Sequence, residues 1–391
     1  MKIGMAIEEL DLQKGGQERS TLEIADLLGA RGHDVSVVTG YASFLPAGLR
    51  ARIINFNMVN PSRVGHFWEF QHRATRCLKN LAPDLIHAVT PIHNADIYQP
   101  RGGLIQETYE RNLARRKGWR RRIRQWLGPN PRQRALRQVE QDLAWKSPCR
   151  FLAVSEYVRR QCLEHLRLPE DRVHTVFNGV DLSRLPAERN PEQRARLRER
   201  LNVKEGGWLG LFIATNFRLK GLDTLVDAAV RLRCNYPALF SRFKFLVGGP
   251  DKARGYFNRL TALGLEGTFT FAGPVHDLGP VFSASDFLAH PTWYDPCSRV
   301  VLEAAACGLP VVTTRYNGAE ELIRRYDCGL IMDDPGSADE LVRCLIELTR
   351  EGTLAQLSAR ATGLRFQVSM DRHVEELVNF YRVVTEQKRI N

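Results

Sequence analysis

The sequence lacks any apolar stretch long enough to span a membrane, since no run approaches the roughly 18 residues that a transmembrane helix needs. Its first residues, MKIGMAIEELDL, carry charge too early for a secretory signal peptide and predict a β-strand instead. Without an export signal, we expect a cytoplasmic protein. The 391 residues, of which 43% are hydrophobic, are enough for two domains with sizeable cores.

The sequence also lacks the spacings that bind metals. Its eight cysteines include no Cys-x-x-Cys pair, and it contains no His-Glu-x-x-His and no spaced Cys/His set for zinc. No two aspartates lie two residues apart, which excludes a short Asp-x-Asp metal motif. Cys162, Cys307 and Cys344 fall in predicted helices or core, and we interpret them as reduced, small hydrophobic residues. We therefore expect neither a metal nor another cofactor.

Acidic residues are missing from Arg111 to Arg137, a segment that holds eleven Lys or Arg and accounts for most of the net charge of +12. Within it Trp119, Ile123, Trp126 and Leu127 recur at helical spacing among arginines. This pattern favours a helix that lies on an anionic membrane, with indoles at the interface and arginines on phosphates. A nucleic acid would use the same charge, and a solvated surface helix is the plain alternative.

Two acids eight residues apart lie in the most informative stretch, residues 290–322. Asp295 is in a predicted loop, and Glu303 is in a buried helix predicted over 299–307 with Ser298 as its cap. Eight helical positions span at most roughly 12 Å. Between the acids lies a helix N-terminus, whose amides suit a diphosphate. We interpret the stretch as a site for a sugar, a diphosphate and a ribose. The alternative is a turn-forming Asp and a solvated Glu, but an acid within VVLEAAAC needs a partner.

A cationic loop, TNFRLKG, follows a predicted strand over 208–214 and precedes a predicted helix over 222–233. Arg218 offers a planar fork and Lys220 a point charge, both suited to a diphosphate. The helix dipole disfavours cations at a helix start. Their presence there therefore indicates a bound anion rather than two plain surface cations.

Polar residues follow the buried strand predicted over 83–89, and function is expected beyond its carboxyl end. His93 and Asp96 lie in that loop. Asp96 is the favoured candidate to orient or deprotonate an acceptor hydroxyl, while His93 is as easily an ordinary loop residue.

The chain opens with a strand over 2–7, a loop from Glu8 to Lys14 and a helix that starts after Gly15 and Gly16. Glycines at a helix N-terminus let an anion approach the backbone amides closely. A Gly-Gly turn is weak evidence alone. The pattern G-x-G-x-x-G is absent, which argues against a dinucleotide site.

Two of these stretches carry a family resemblance. The run D-PCSRVVL-E-AAACGLPVV and the opening GGQERSTLEIADLLGARGHDVSVVTG resemble the retaining glycosyltransferases of family 4. The resemblance implies the α/β fold called GT-B, with two Rossmann-like domains whose parallel sheets face each other across a cleft. It implies an acceptor-binding domain over 1–178, a nucleotide-sugar-binding domain over 179–370, and a helix over 371–391 that returns to the first domain.

The resemblance also implies roles for the candidate residues. Gly15 and Gly16 would face the donor's phosphates or sugar, and Glu303 would bind the ribose diol. Arg218 and Lys220 would bind the diphosphate and neutralise the leaving group. The sugar and the diphosphate would be held by Asp295 and by the backbone of Pro296, Cys297, Ser298 and Arg299.

Two positions depart from the family pattern. The family usually has Glu where this chain has Asp295, which is one methylene shorter. Many relatives also carry a His just before Gly-Gly, aimed at the sugar, and this chain has Arg101 there.

Within that family, the order of motifs is most similar to the lipopolysaccharide core glucosyltransferases, which carry a basic, aromatic, membrane-facing region at about the place of 111–137. The resemblance implies metal-free transfer of a hexose, with UDP-glucose the favoured donor, to a glycolipid acceptor at the cytoplasmic membrane face. UDP-N-acetylglucosamine and GDP-mannose are alternative donors. A nucleotide-sugar epimerase of the same fold would need neither acceptor nor basic segment. A non-enzymatic binder with a relic site is opposed by the intact Arg218, Lys220 and Glu303.

Overall fold

Residues 1–12 and 15–390 are described by a computed structural model, and they form two compact α/β units. Unit 1 comprises Met1–Gly179 together with the chain from Met370 onward, and unit 2 comprises Val180–Ser369. No helix in the described residues is both long and apolar enough to cross a bilayer.

Unit 1 is built on a parallel sheet of seven strands in the order β3-β2-β1-β4-β5-β6-β7. Its elements are β1 (Lys2–Asp11), α1 (Gly16–Ala30), β2 (Asp34–Ser43), β3 (Arg52–Asn55), α2 (Arg63–Leu81), β4 (Leu85–Ala88), β5 (Ile97–Tyr98), α3 (Ile105–Ala114), α4 (Gly118–Leu127), α5 (Pro131–Lys146), β6 (Arg150–Ala153), α6 (Glu156–Leu166) and β7 (Val173–Thr175).

Unit 2 has a parallel sheet of six strands in the order β10-β9-β8-β11-β12-β13. Its elements are α7 (Pro191–Arg200), β8 (Trp208–Ile213), α8 (Leu222–Asn235), α9 (Pro237–Phe240), β9 (Phe243–Gly248), α10 (Arg254–Ala262), β10 (Phe269–Gly273), α11 (Gly279–Ala284), β11 (Phe287–His290), α12 (Arg299–Ala306), β12 (Val311–Thr314), α13 (Glu320–Arg325), β13 (Gly329–Met332), α14 (Ala338–Leu348) and α15 (Thr353–Thr362).

The last helix, α16 (Met370–Ile390), belongs to unit 1. Its buried face joins the core that β1 and α1 form, through side chains such as Val374, Leu377 and Tyr381. Arg372 donates to the carbonyl of Phe177 at 2.8 Å. The chain therefore leaves unit 1, builds unit 2 and comes back, as the predicted fold class implied.

Each sheet reverses its strand order once, which marks the edge where ligands bind in open α/β folds. In unit 1 the first strand, β1, lies between β2 and β4, and in unit 2 the first strand, β8, lies between β9 and β11. Chain connections leave in opposite directions from that strand, which opens a crevice at the carboxyl ends. Functional residues are therefore expected beyond β1 and β4, and beyond β8 and β11.

The predicted loop from Glu8 to Lys14 is wrong for its first part. The strand β1 continues to Asp11 because its backbone pairs with β2 as far as Asp11 opposite Ser43. Gln13 and Lys14, the end of that predicted loop, lie outside the described residues.

Candidate functional site

Four loops meet at the carboxyl edge of the unit 2 sheet, after β8, β9, β11 and β12. The amide of Phe217 donates to the carboxylate of Asp251 at 2.8 Å, which ties the first loop to the second. The amide of Trp293 donates to the carbonyl of Leu219 at 2.9 Å, which ties the third loop to the first. Gly221 has a φ of +88°, and a Cβ there would lie 2.1 Å from the Pro291 carbonyl oxygen. A glycine is therefore needed where these loops cross.

Lys220 and Asp295, both predicted as site residues, form an ion pair at this edge. The Lys220 ammonium lies 2.7 Å from the Asp295 carboxylate and donates to the Tyr294 carbonyl at 2.9 Å. Their side chains are only 16% and 14% exposed. Burial, helped by the charge of Lys220, lowers the pKa of the neighbouring His290 to about 3. His290 is therefore neutral at physiological pH, and the positive charge beside Asp295 is the ammonium of Lys220.

Asn317 fixes the backbone just before α12, a role that the sequence did not predict. Its side-chain oxygen accepts from the amides of Ser298 and Ala319, each at 3.1 Å, and its nitrogen donates to Thr313 at 3.0 Å. It is fully buried. The available signal was the position of Asn317 just before α13, which indicated only the start of that helix.

The predicted capping role of Ser298 is wrong. Ser298 does lie at the N-cap of α12, but its side chain makes no capping hydrogen bond to the first turn. Its own amide is instead occupied by Asn317. The carboxylate of Asp295 accepts from the amide of Cys297 at 3.3 Å, so the backbone before the helix is held by one local partner, Asp295, and one distant partner, Asn317.

The remaining predicted donor residues lie on α12 and in the loop after β8. Glu303 is largely buried, and its carboxylate lies 3.7 Å from the guanidinium of Arg299, one helical turn earlier. Pro296 is buried in the loop that leads to α12, whereas the side chain of Arg218 is exposed. The loop thus offers two cations of different kinds: Lys220, which is fixed by Asp295, and Arg218, which reaches solvent.

In unit 1, Gly15 and Gly16 lie at the start of α1, as predicted. Gly15 is the N-cap residue in an extended conformation, and the helix begins at Gly16. A Cβ on Gly15 would lie 3.0 Å from the carboxylate of Glu18. The glycines therefore leave the backbone open at the amino end of α1.

Arg101, which stands where many relatives carry a His, is turned into the protein and only 6% exposed. Its guanidinium donates to Gln99 at 2.8 Å, to Asn178 at 2.9 Å and to Ser20 on α1. Its charge adds to burial in lowering the pKa of His87, to about 3. Arg101 therefore braces α1 against the segment that leads out of unit 1.

The predicted position of Asp96 at the carboxyl edge is wrong. Asp96 directly precedes β5, so it lies at the amino edge of the sheet. Its carboxylate accepts from the amide of Ile86 at 2.8 Å and from the ammonium of Lys388 at 2.9 Å. The sequence analysis missed β5, which is only two residues long, and so placed the whole loop on one edge. We assign Asp96 a structural role.

His93 is likewise a surface residue in unit 1. Its imidazole lies 3.5 Å from the carboxylate of Asp142 on α5, and about half of its side chain is exposed. Asp142 also pairs with Lys146, one turn further along the same helix, at 2.7 Å. His93 therefore contributes to a surface ion-pair group.

The basic segment from Arg111 to Arg137 contains α4, in which no residue is buried. Trp119, Trp126 and Leu127 are 67%, 84% and 57% exposed. The helix is attached to its neighbours through Arg124, which donates to Gln133 at 3.2 Å. The predicted pattern of exposed indoles among arginines is thus present on the surface of unit 1.

One cluster of potential metal ligands lies within the described ranges: Glu107, Glu110 and His165, whose ligand atoms are within 4.8 Å of one another. Protein groups already surround Glu107. His165 and Tyr157 bond to its carboxylate at 2.9 and 3.0 Å, and Arg111 lies 2.8 Å away. These contacts hold α3 against α6, and a cation would have to compete with the guanidinium.

Residues 14–184 match the family described as Glycosyltransferase Family 4, and residues 207–351 match the family described as Glycosyl transferases group 1. The chain therefore carries both of these glycosyltransferase domains, and the resemblance found in its sequence is confirmed.

Two curated relatives are informative. The chain is 34% identical over 223 residues to the D-inositol 3-phosphate glycosyltransferase of Salinispora arenicola (strain CNS-205), a match that covers 54% of this chain and 49% of the relative. The chain thus spans about half the length of that relative. It is 24% identical over 329 residues to the lipopolysaccharide glucosyltransferase WaaG of Escherichia coli (strain K12), which covers 84% of each protein.

Solved structures show the same fold. The crystal structure of WaaG, described as a glycosyltransferase involved in lipopolysaccharide biosynthesis, has a TM-score of 0.80 at 21% identity and covers 97% of this chain and 99% of that chain. Anabaena HepE in complex with UDP-glucose has a TM-score of 0.73 at 18% identity and covers 98% of this chain and 100% of that chain. The predicted GT-B class, with two Rossmann-like parallel-sheet domains, is confirmed.

Proposed function

We propose that the chain is a retaining hexosyltransferase that moves glucose from UDP-glucose to a glycolipid of the lipopolysaccharide core. The observation that carries the proposal is the Lys220–Asp295 pair at the carboxyl edge of unit 2. The pair stands just before α12, whose first amides point toward the same edge. A fixed cation beside a helix N-terminus stabilises the negative charge of a diphosphate.

The site residues then take distinct roles. Lys220 and Arg218 neutralise the charge that develops on UDP as the bond from the sugar to the phosphate breaks. Asp295 and the start of α12, which the bonded segment from Pro296 to Ser298 positions, hold the sugar and the diphosphate. Glu303 accepts hydrogen bonds from the ribose diol. In a transfer that retains configuration without a protein nucleophile, the leaving phosphate helps the acceptor hydroxyl attack from the same face.

The proposal includes transfer without a metal ion. Lys220 and Arg218 supply positive charge at the diphosphate, which is the task that a divalent cation performs elsewhere. Turnover should therefore be unchanged by an excess of chelator. A loss that added Mg²⁺ or Mn²⁺ restores would contradict this part of the proposal.

The relatives support the donor and the acceptor. WaaG of Escherichia coli is described as a lipopolysaccharide glucosyltransferase and matches most of this chain. HepE, which has the same fold, was solved with UDP-glucose. The inositol-phosphate enzymes share higher identity over a shorter stretch, and inositol 3-phosphate is therefore the second acceptor to test.

The place of action that we propose is the inner face of the plasma membrane, where a cytoplasmic enzyme meets a lipid-linked acceptor. The support is α4, which exposes Trp119 and Trp126 beside several arginines. Indoles favour the membrane interface and arginines favour anionic headgroups, so the helix suits peripheral binding. No nucleic acid is needed to account for the basic segment.

The donor is tested by a thermal-shift series with UDP, GDP, UDP-glucose, UDP-N-acetylglucosamine and GDP-mannose. A ligand that binds only the folded state raises the melting temperature as its concentration exceeds its dissociation constant. We expect shifts with UDP and UDP-glucose. No shift with any nucleotide would overturn the assignment of the Lys220–Asp295 edge.

The reaction class is tested by UDP release. A transferase releases UDP from UDP-glucose in amounts that follow added acceptor, here lipopolysaccharide truncated before its first core glucose. An epimerase converts the sugar without acceptor, and a relic site does neither. Interconversion of the donor sugar with no acceptor present would therefore contradict the proposal.

A further inference from the structure

The carboxyl edge of unit 1 carries a buried charged cluster that the donor chemistry does not use. It consists of Glu8 near the end of β1, His66 in the first turn of α2 and Arg132 in the first turn of α5. The Glu8 carboxylate bonds to Nδ1 of His66 at 3.0 Å and to the guanidinium of Arg132. Glu8 is only 3% exposed. Three elements thus converge on one carboxylate.

The cluster lies at the strand-order reversal of unit 1. The amide of Glu8 donates to the hydroxyl of Thr90, the second residue after β4, at 2.9 Å. Glu8 on β1 and Thr90 after β4 therefore define the crevice between the two strands from which connections diverge. This is the place where open parallel sheets bind their ligands. The strands pair through backbone hydrogen bonds, so the sheet itself does not require the side chains of Glu8, His66 and Arg132.

The backbone is shaped to admit the imidazole of His66. A Cβ on Gly40, in β2, would lie 3.0 Å from the Glu8 carbonyl oxygen and 3.3 Å from Cε1 of His66. Any side chain at position 40 would press on the ring. Glycine there leaves a slot of the size that His66 fills.

The contacts orient the imidazole of His66. Its Nδ1 faces the Glu8 carboxylate, which Arg132 also contacts, and a carboxylate only accepts hydrogen bonds. Nδ1 of His66 must therefore carry a hydrogen and donate it, so that in the neutral ring Nε2 is an acceptor. The side chain of His66 is 15% exposed. The cluster thus presents one oriented hydrogen-bond acceptor at the functional edge.

We propose that this cluster is the acceptor subsite of unit 1, in which Nε2 of His66 accepts a hydrogen bond from a saccharide hydroxyl. Glu8 is a positioning residue that acts through His66, and Arg132 acts through Glu8. The ligand class is a sugar with a free hydroxyl, the group that a glycosyltransferase must place in line with its donor. The inference rests on the proposed function and extends it to the second substrate.

The test is steady-state kinetics of His66→Ala and Glu8→Gln, with UDP-glucose and truncated lipopolysaccharide varied separately. We expect the acceptor KM to rise about tenfold in His66→Ala, the cost of one lost hydrogen bond to a bound ligand, with the donor KM unchanged. Glu8→Gln should have a smaller effect, because an amide oxygen still accepts from Nδ1. His72→Ala, an exposed histidine on the same helix, is the matched control and should behave as wild type.

The double variant separates positioning from a second, independent contact. If Glu8 acts only through His66, Glu8→Gln should add nothing to His66→Ala, so the two effects are not additive. Fully additive effects would overturn the positioning role. Melting temperatures check that each variant is folded. A purely structural cluster would lower them and leave both KM values alone, and that result would overturn the subsite.

Donor binding distinguishes this inference from the proposed function. A normal UDP-induced thermal shift in His66→Ala, with a raised acceptor KM, supports the subsite. The same donor behaviour with an unchanged acceptor KM overturns it. Loss of the UDP shift in the wild-type protein would instead remove the proposed function.

Discussion

At the scale of single residues, Lys220 is the group on which the proposed chemistry depends most. Lys220→Ala removes the cation that faces the leaving diphosphate and should lower kcat about 10²- to 10³-fold, the usual cost of losing one transition-state contact. Turnover and circular dichroism together check this. Lys244→Ala is the control, since that ammonium bonds to the Gly267 carbonyl at the amino edge of the sheet. Near-normal turnover in Lys220→Ala would contradict the assignment.

Glu140 gives a prediction about pH. Burial raises the pKa of its carboxyl group to about 7. Hydrogen bonds from Tyr98 and the Ile105 amide act in the opposite direction and lower that pKa. Between the unfolded pKa and about 7, the folded state keeps a proton that the unfolded state has lost. The free energy of unfolding must then fall as the pH rises through that window, by about 3 kcal/mol from this group.

Urea titrations at pH 5 and pH 8 measure that change. Glu140→Gln keeps the shape of the side chain without the charge, so its stability should fall less between the two pH values. An equal fall in wild type and variant would show that other groups cause it.

Single residues also show which parts of the site could be predicted from the sequence and which could not. Asp295 and Lys220 were predicted as site residues because each follows a strand long enough to recognise in the sequence. The structure places the two side chains in contact. Asp96 was misplaced because β5, with two residues, leaves no hydrophobic pattern. The bond between Asn317 and the Ser298 amide and the Glu8–His66 pair were missed because the partners lie 19 and 58 residues apart, and hydrogen bonds of that kind have no local signature.

At the scale of elements, α4 makes the clearest prediction. The change Arg121→Gln with Arg122→Gln removes two exposed cations and should weaken binding to anionic vesicles about 30-fold, at roughly 1 kcal/mol per cation. Vesicle co-sedimentation at fixed salt measures the change. The matched control is Arg196→Gln with Arg200→Gln, two exposed arginines on α7. Equal losses in both pairs would mean that net charge, rather than α4, drives the binding.

The regular elements themselves were largely predictable. The strand β8 is short and mostly apolar, β12 consists of β-branched residues, and helices such as α8 and α14 repeat their apolar residues at helical spacing. The amphipathic pattern within 111–137 likewise predicted the helix observed as α4. The extension of β1 to Asp11 was not predicted, because pairing with β2 overrides the charged residues that suggested a loop.

At the scale of the whole molecule, the two units have separate cores, and this can be measured. Leu377 of α16 lies in the core of unit 1, and Leu345 of α14 lies in the core of unit 2. Each change to Ala should cost about 2–5 kcal/mol of local stability. Hydrogen exchange should show lost protection in β1 and β4 for Leu377→Ala, and in β8 and β9 for Leu345→Ala.

Each of these two variants is the experimental control for the other. Equal loss of protection in both sheets for either variant would mean that the units unfold as one. The two parallel-sheet units were predicted through the resemblance to the glycosyltransferases of family 4, and the structure contains both. The assignment of substrates to the units depends on single side chains.

The return of the chain to unit 1 sets an order of events during synthesis. Unit 2 is one continuous segment, so all of its residues leave the ribosome before α16 does. Unit 1 begins first but lacks Val374, Leu377 and Tyr381 until α16 has been made. At roughly 5–20 residues per second, the nascent first sheet waits about 10–40 seconds for the helix that covers it. During that interval the apolar face of its core is a natural binding surface for chaperones.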